Sequence, residues 1–91
     1  MTEGSLELNQ LLELQQSLRL NDSLKFTQIL AKQGNDIEQY NLGDLYYYGD
    51  GVTQDYAQAV KWFTKAAEQG YAEAQSNLGD MYYYGDGVTQ D

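Results

Sequence analysis

The stretch QYNLGDLYYYGDGVTQD at residues 39–55 returns as QSNLGDMYYYGDGVTQD at residues 75–91. The two copies stand 36 residues apart and differ only at positions 40/76 and 45/81. A repeat of this length is typical of units that cannot bury their apolar side alone and therefore stack on their neighbours. The repeat thus predicts an array of similar units in one chain.

The segment between the two copies has the pattern of an amphipathic helix. Ala59, Trp62, Phe63, Ala66 and Ala67 fall at helical spacing and predict one buried face. Asp55 is a favourable N-cap with Gln58 three residues on, and Gly70 is a typical helix stop. We therefore predict a helix over residues 56–69 and call it the B-type helix.

The repeated stretch itself predicts a second kind of helix, which we call A-type. Leu42, Leu45 and Tyr46 form an apolar stripe that ends at Gly49 and Gly51, residues that suit a turn. This predicts an A-type helix over residues 37–48 and its copy over 72–84. Tyr46 and Tyr82 lie on the stripe and are predicted to be core residues. Trp62 of the B-type helix is predicted to be buried between the A-type helix of its own unit and the helix at 72–84.

The first third of the chain looks like an older, diverged unit. With the same offset of 36, SLKFTQILAKQG (23–34) lies over AVKWFTKAAEQG (59–70). Before it, Leu8, Leu11, Leu12 and Leu18 are spaced as on a helix, and Asn21 or Asp22 could cap the helix that follows. The prediction is an all-α solenoid of about five helices in antiparallel pairs: a degenerate N-terminal capping pair (1–36), a complete repeat (37–70) and a partial repeat (71–91).

Composition narrows the function classes. Fourteen acidic and five basic residues give a net charge of -9, so we expect no nucleic-acid partner and no membrane binding. Cysteine and histidine are absent, which removes thiolate chemistry, imidazole bases and the usual zinc ligands. No secretory signal pattern is visible, and we expect a cytoplasmic location.

These residues resemble the Sel1-like repeats, which are relatives of the tetratricopeptide repeats. The resemblance is carried by Leu42-Gly43 and Gly51-Val52, which return as Leu78-Gly79 and Gly87-Val88, and by Trp62 of the first unit. It implies a TPR-like α-solenoid in which the A-type helices line a concave face. It also implies a bacterial-type scaffold for protein–protein interaction.

The tyrosines predict where a partner would bind. Tyr40, Asp44 and Tyr47 project opposite the buried stripe of the A-type helix, and by the resemblance they line the concave face. Relatives that clamp a peptide carboxylate have Asn where this chain has Asp44 and Asp80, so a basic protein or peptide partner is preferred. The predicted partner-binding surface comprises Ile37, Tyr40, Asp44, Tyr47, Tyr48, Glu73, Ser76, Asp80, Tyr83 and Tyr84.

Catalytic and metal sites are not predicted. Counted from Asp50, the GDG segment has Val52 and Gln54 where a calcium loop needs oxygen ligands, and no closing Glu follows. Some relatives have been called β-lactamases, but no Ser-x-x-Lys occurs in this chain. We expect no enzyme activity, no cofactor and no metal.

The second copy stops at Asp91, the position that caps a B-type helix in the first unit. Leu78, Met81 and Tyr82 are then predicted to lack part of their cover and to form a self-association surface. Either the chain is a fragment of a longer array, or two copies form a homodimer through the 72–84 helices. A self-assembling structural module is therefore the alternative to a partner-binding scaffold.

Overall fold

The computed structural model describes residues 3–88 of the chain, with side chains described for residues 8–16 and 22–88. This part consists of four α-helices and contains no strand. The helices are α1 (Glu3–Lys32), α2 (Asp36–Tyr48), α3 (Tyr56–Glu68) and α4 (Ala72–Tyr84). Each helix packs mainly on its neighbour in the chain, and the short connections make neighbours antiparallel. The predicted all-α solenoid is confirmed.

The predicted number of helices is wrong at the N-terminal end. Residues 1–36 were expected to form a pair, but a single helix of 30 residues, α1, occupies this region. No Gly or Pro stands between Gly4 and Gly34, and Asp22 inside a helix costs well under about 1 kcal/mol relative to Ala, so nothing forces a turn. The side chains of Leu18 and Asn21, and Asp91 altogether, lie outside the described residues.

The straight course of α1 leaves several apolar side chains exposed. Leu8, Leu11 and Leu12 are each more than half exposed, whereas they were predicted to form a helix stripe in a capping pair. Phe26, the counterpart of Trp62 in the diverged unit, is 67% exposed. Among the described side chains of α1, Leu24 and Ala31 enter the core, and both lie in the C-terminal half of the helix.

The other helix ends follow the signals in the sequence. Asp55 is the N-cap of α3, and its Oδ1 accepts a hydrogen bond from the backbone N–H of Gln58 at 3.1 Å. Asn35 caps α2 in the same way, accepting from the N–H of Glu38 at 2.9 Å. Gly49 takes a left-handed conformation with φ of 70°, and its N–H bonds to the carbonyl of Leu45, which ends α2.

The core is divided into two clusters on different sides of α3. Trp62 packs with Ala31 and Leu42, so it joins α3 to α1 and α2. Phe63 packs with Ala59, Ala66, Ala74 and Met81, so it faces α4. Successive helical residues point about 100° apart, so Trp62 reaches α1 and Phe63 reaches α4, while both rings also contact α2.

The burial of Trp62 and its contact with its own A-type helix agree with the prediction, but its second neighbour does not. Trp62 is 6% exposed, and it was expected to lie between its own A-type helix and the helix at 72–84. It packs on α2 as predicted, but its other neighbour is α1, and Phe63 is the residue that reaches α4.

Candidate functional site

A groove runs between the two A-type helices, α2 and α4, and we call it the α2–α4 groove. Phe63 of α3 and Met81 of α4 form its apolar part, and the hollow has a volume of about 120 Å³. Its other lining residues are Asp44, Tyr47, Tyr48, Asn77 and Asp80. The groove therefore combines two carboxylates, two phenol rings and an amide around a small apolar surface.

One wall of this groove is held together by contacts within the first repeat unit and by hydrogen bonds to the second. The Tyr47 hydroxyl donates a hydrogen bond to Oδ2 of Asp86 at 3.3 Å, and the Tyr47 ring lies 5.0 Å from the ring of Tyr56. The Nδ2 of Asn77 donates to the Tyr40 hydroxyl at 3.4 Å. These bonds fix α2 relative to the second unit, so the groove is already formed before any partner binds.

The prediction that Tyr40 and Tyr47 project away from the core is wrong. Both are partly buried and pack against the cluster around Phe63. The Tyr40 ring lies 5.5 Å from the ring of Phe63 and 5.0 Å from that of Tyr71. The apolar stripe of one unit indicates the side of α2 that faces α3, whereas the second unit covers another side of α2. These two tyrosines therefore hold neighbouring units together.

Exposed side chains on the same surface agree better with the prediction. Tyr48 is 68% exposed, although its ring makes an edge contact with Tyr47 at 5.0 Å. Asp80 is also exposed, and Asp44 is half-buried. Ile37, Glu73, Ser76, Tyr83 and Tyr84 are exposed as well, but they do not line the α2–α4 groove.

The carboxyl of Asp44 has an unfavourable environment for its charge. Burial raises its pKa above the ordinary value of 3.8, and the negative charge of Asp50 raises the pKa further. None of the described basic side chains lines the groove, and Lys61 and Lys65 lie elsewhere on α3, 5.1 and 5.9 Å from the Trp62 ring centroid. The groove thus presents negative charge without a lining cation.

A second hollow lies one repeat earlier, between α1 and α2. Its volume is about 520 Å³, and Thr27, Asn41, Asp44 and Leu45 are among its lining residues. These four are the counterparts, 36 residues earlier, of Phe63, Asn77, Asp80 and Met81 in the α2–α4 groove. The hollow is wider partly because a threonine replaces the phenylalanine. Asp44 therefore lines both hollows.

The sequence reasoning missed Asn77, Phe63 and Met81 as groove residues. Asn77 could have been found because it repeats Asn41 within the shared NLGD motif. The predicted role of Met81 in self-association is wrong, since Met81 is 2% exposed and belongs to the core cluster around Phe63. Leu78 is half-buried against the same cluster, and Tyr82 is 45% exposed, so the prediction of Tyr82 as a core residue is wrong too.

Neither a metal site nor a membrane span emerges from the described part of the chain. Among those residues, no three or more Asp, Glu, His or Cys side chains are grouped so that they could hold a metal ion. None of the described helices is both long enough and apolar enough to cross a membrane.

The four helices define an α-solenoid built from helical repeats of 36 residues. The Sel1 repeat family model matches residues 39–71 and 72–91, together more than half of the chain. The chain therefore belongs to the Sel1 repeat family. Repeats of this family generally mediate protein–protein interactions, and its members are typically non-catalytic scaffolds.

Two similar proteins support this assignment. The chain is 42% identical over 40 residues to the putative sel1-like repeat-containing protein L18 of Acanthamoeba polyphaga mimivirus. The matched segment covers 44% of this chain and 7% of that protein. It also resembles the crystal structure of c5321, a protective antigen of uropathogenic Escherichia coli strains with an SLR fold. That match has a TM-score of 0.75 and 45% identity over 78% of this chain and 15% of the other. The chain thus spans only a small part of the length of both relatives.

Proposed function

We propose that this chain is a protein-binding module that holds a basic segment of a partner in the α2–α4 groove. The observation that carries the proposal is the lining of that groove. Asp44 and Asp80 share a preformed hollow with Tyr47 and Tyr48, and no basic side chain lines it. A cationic side chain complements both features, because it pairs with carboxylates and also binds over aromatic rings.

The cost of keeping Asp44 charged supports this proposal. Its charge is disfavoured by burial and by the charge of Asp50. The charged carboxylate therefore does not stabilise the free chain, and a role in binding gives a reason for its presence. An incoming ammonium or guanidinium group would compensate that charge. Two carboxylates beside one hollow also favour an arginine, whose planar guanidinium can bond one carboxylate while stacking on a tyrosine.

The exposed tyrosine suits the same role. Tyr48 offers a large amphipathic surface at low conformational cost, as tyrosines do in many binding sites. Its edge contact with Tyr47 restricts where the ring lies. The surface for the partner is therefore partly preorganised, which lowers the entropy lost on binding.

Affinity capture with a matched pair of variants tests the proposal. Asp44→Asn with Asp80→Asn removes two negative charges from the groove, and Glu13→Gln with Glu68→Gln removes two exposed negative charges elsewhere. Proteins captured by the wild type should be lost with the first pair and kept with the second. Capture should also weaken as salt is raised, because exposed charge pairs are screened. Equal capture by both pairs would contradict the proposal.

A self-assembling module is the second candidate, and the exposure of Tyr82 on α4 favours it. With a net charge of -9, two copies repel each other, so salt should strengthen a homodimer while it weakens the binding of a basic partner. Sedimentation at two salt concentrations, with and without the captured partner, separates the two functions.

A further inference from the structure

The hollow between α1 and α2, which we call the α1–α2 hollow, shares a carboxylate with the α2–α4 groove. Asp44 lies on α2 and lines both spaces. Asp50, in the turn that follows α2, lines the α1–α2 hollow and not the groove. The charge of Asp50 raises the pKa of Asp44, so the two carboxylates are near enough to repel each other. The two spaces are therefore neighbouring parts of one anionic surface, with Asp44 between them.

The α1–α2 hollow has walls that suit a long basic side chain. Leu24 and Leu45 provide apolar surface, and Ser23, Thr27 and Asn41 add two hydroxyls and an amide. Lysine and arginine need both, because their methylene groups pack on apolar surface while the charged end stays among polar groups. The volume is about 520 Å³, against about 120 Å³ for the α2–α4 groove. A space of this size is within the range that holds a whole small ligand.

The Asp50 carboxylate lacks the partner that its copy in the second unit has. Asp86, 36 residues later, accepts a hydrogen bond from the Tyr47 hydroxyl at 3.3 Å. The position 36 residues before Tyr47 is Leu11, which is more than half exposed and has no donor. Among the described residues, no side chain donates a hydrogen bond to Asp50. Its oxygens therefore remain available to a donor from another molecule.

The two spaces lie on either side of α2, and this sets the distance between two bound cations. Packed helices lie about 8–10 Å apart, so the centres of the hollow and the groove are separated by about the same distance. In the polyproline II conformation, side chains three residues apart lie on the same side of the chain and about 9 Å apart. An extended segment can therefore place residues i and i+3 over the two spaces.

We propose that the α1–α2 hollow is a second cation pocket, and that the partner segment carries two arginines three residues apart. One arginine binds between Asp50 and Asp44, and the other binds between Asp44 and Asp80 in the α2–α4 groove. Arginine fits better than lysine, because its planar guanidinium can bond two carboxylates at once. This inference rests on the proposed function, since it extends the surface that binds the same basic segment.

The test uses a short peptide, capped at both ends, with the core Arg-Ser-Gly-Arg as the probe for the full chain. Replacing either arginine with citrulline removes its charge and keeps its shape. A peptide of the same composition with adjacent arginines tests the spacing. Titration of the isotopically labelled chain, followed by NMR, gives the Kd of each peptide. The diarginine peptide should bind about five- to tenfold more tightly than either citrulline peptide and clearly more tightly than the peptide with adjacent arginines.

Matched variants of the chain locate the second pocket. In Asp50→Asn, one of the two citrulline peptides should bind within about twofold of the diarginine peptide, because its missing arginine is the one that pairs with Asp50. Glu68→Gln is the control: it removes one negative charge at an exposed position on α3, and it should keep the full advantage of the diarginine peptide. In the wild type, the amide shifts caused by this peptide should include Thr27 and Asn41 as well as Asn77.

The second pocket is refuted by any of three results. They are equal binding of the diarginine peptide and both citrulline peptides, equal binding of the peptide with adjacent arginines, and an Asp50→Asn variant that keeps the full advantage. Amide shifts confined to Asn77 and Asp80, and lost in Asp44→Asn with Asp80→Asn, would also refute it while leaving the proposed binding of a basic segment intact. If the diarginine peptide shows no saturable binding, the inference fails, and the capture experiment decides on the proposed function by itself.

Discussion

Gly43 on α2 lies directly against the ring of Phe63 on α3. A β-carbon at Gly43 would come within 2.7 Å of Cδ1 and 2.8 Å of Cε1 of that ring. The glycine is helical and does not serve a turn, so its role is to let α2 and α3 approach closely. Nothing lies within 4 Å of a β-carbon at its counterpart Gly79, because none of the described helices covers that face of α4.

This difference gives two substitutions with opposite effects. Gly43→Ala must displace the Phe63 ring, and we expect it to lower the free energy of unfolding by about 1 to 3 kcal/mol. Gly79→Ala meets no obstacle and replaces a poor helix former, so it should raise the free energy of unfolding by up to about 1 kcal/mol. Urea unfolding followed by circular dichroism measures both. A Gly43→Ala variant as stable as Gly79→Ala would contradict the close packing.

Trp62 offers a second comparison between units. Trp62→Ala should lower the free energy of unfolding by about 3 to 5 kcal/mol, because the indole is buried with Ala31 and Leu42. Phe26→Ala is the control, since Phe26 occupies the same position in the diverged unit but is 67% exposed. Its effect should stay within about 0.5 kcal/mol. Thermal and urea unfolding of the two variants test whether burial, rather than position in the repeat, sets the stability.

The repeat made most of this fold predictable. A nearly identical copy indicates the same helix position twice, and the caps at Asp55 and Gly49 mark where α3 begins and α2 ends. The course of α1 was not predictable in the same way, because the diverged unit lacks a glycine turn between its two halves and cap residues such as Asp22 are tolerated inside a helix. Periodicity indicates where a helix can exist, but it does not require a break.

The adjacent residues Tyr47 and Tyr48 allow the effects of a tyrosine on stability and on partner binding to be measured separately. Tyr47 is partly buried and bonds to Asp86, so Tyr47→Ala should lower the free energy of unfolding by about 1 to 2 kcal/mol. Tyr48 is 68% exposed, so Tyr48→Ala should change stability by less than about 0.5 kcal/mol while weakening capture of a partner. Thermal melts of both variants measure stability, and affinity capture with both variants measures partner binding. A stable Tyr47→Ala variant would mean that its contacts with the second unit contribute little.

The candidate groove was less predictable than the helices, for a geometric reason. A helical wheel of one unit shows which residues face α3, but it contains no information on the next unit. Tyr40 and Tyr47 contact residues 30 or more positions away, namely Asn77 and Asp86. Asp44 and Asp80 were predicted together because the repeat gives both the same place, and the structure brings both to one hollow.

The stability of the chain should depend on pH through Asp44. Burial, with the charge of Asp50 added, raises its pKa above the ordinary value of 3.8, so the folded state binds this proton more tightly than the unfolded state. The resulting stabilisation is complete below pH 3.8 and is lost as pH rises through the raised pKa. At pH 7 the charged Asp44 therefore destabilises the fold, and Asp44→Asn should be more stable than the wild type.

Urea unfolding of the wild type and Asp44→Asn between pH 3 and pH 7 measures this effect. The excess stability of the variant should be largest at pH 7 and should shrink as pH approaches 3.8, where the wild-type carboxyl becomes protonated in both states. Glu13→Gln is the control for net charge, because Glu13 is exposed on α1 away from the groove. If Asp44→Asn is less stable than the wild type at pH 7, the carboxylate is favourably solvated in the free chain. A variant that is more stable but captures less partner would show that Asp44 serves binding at the expense of stability.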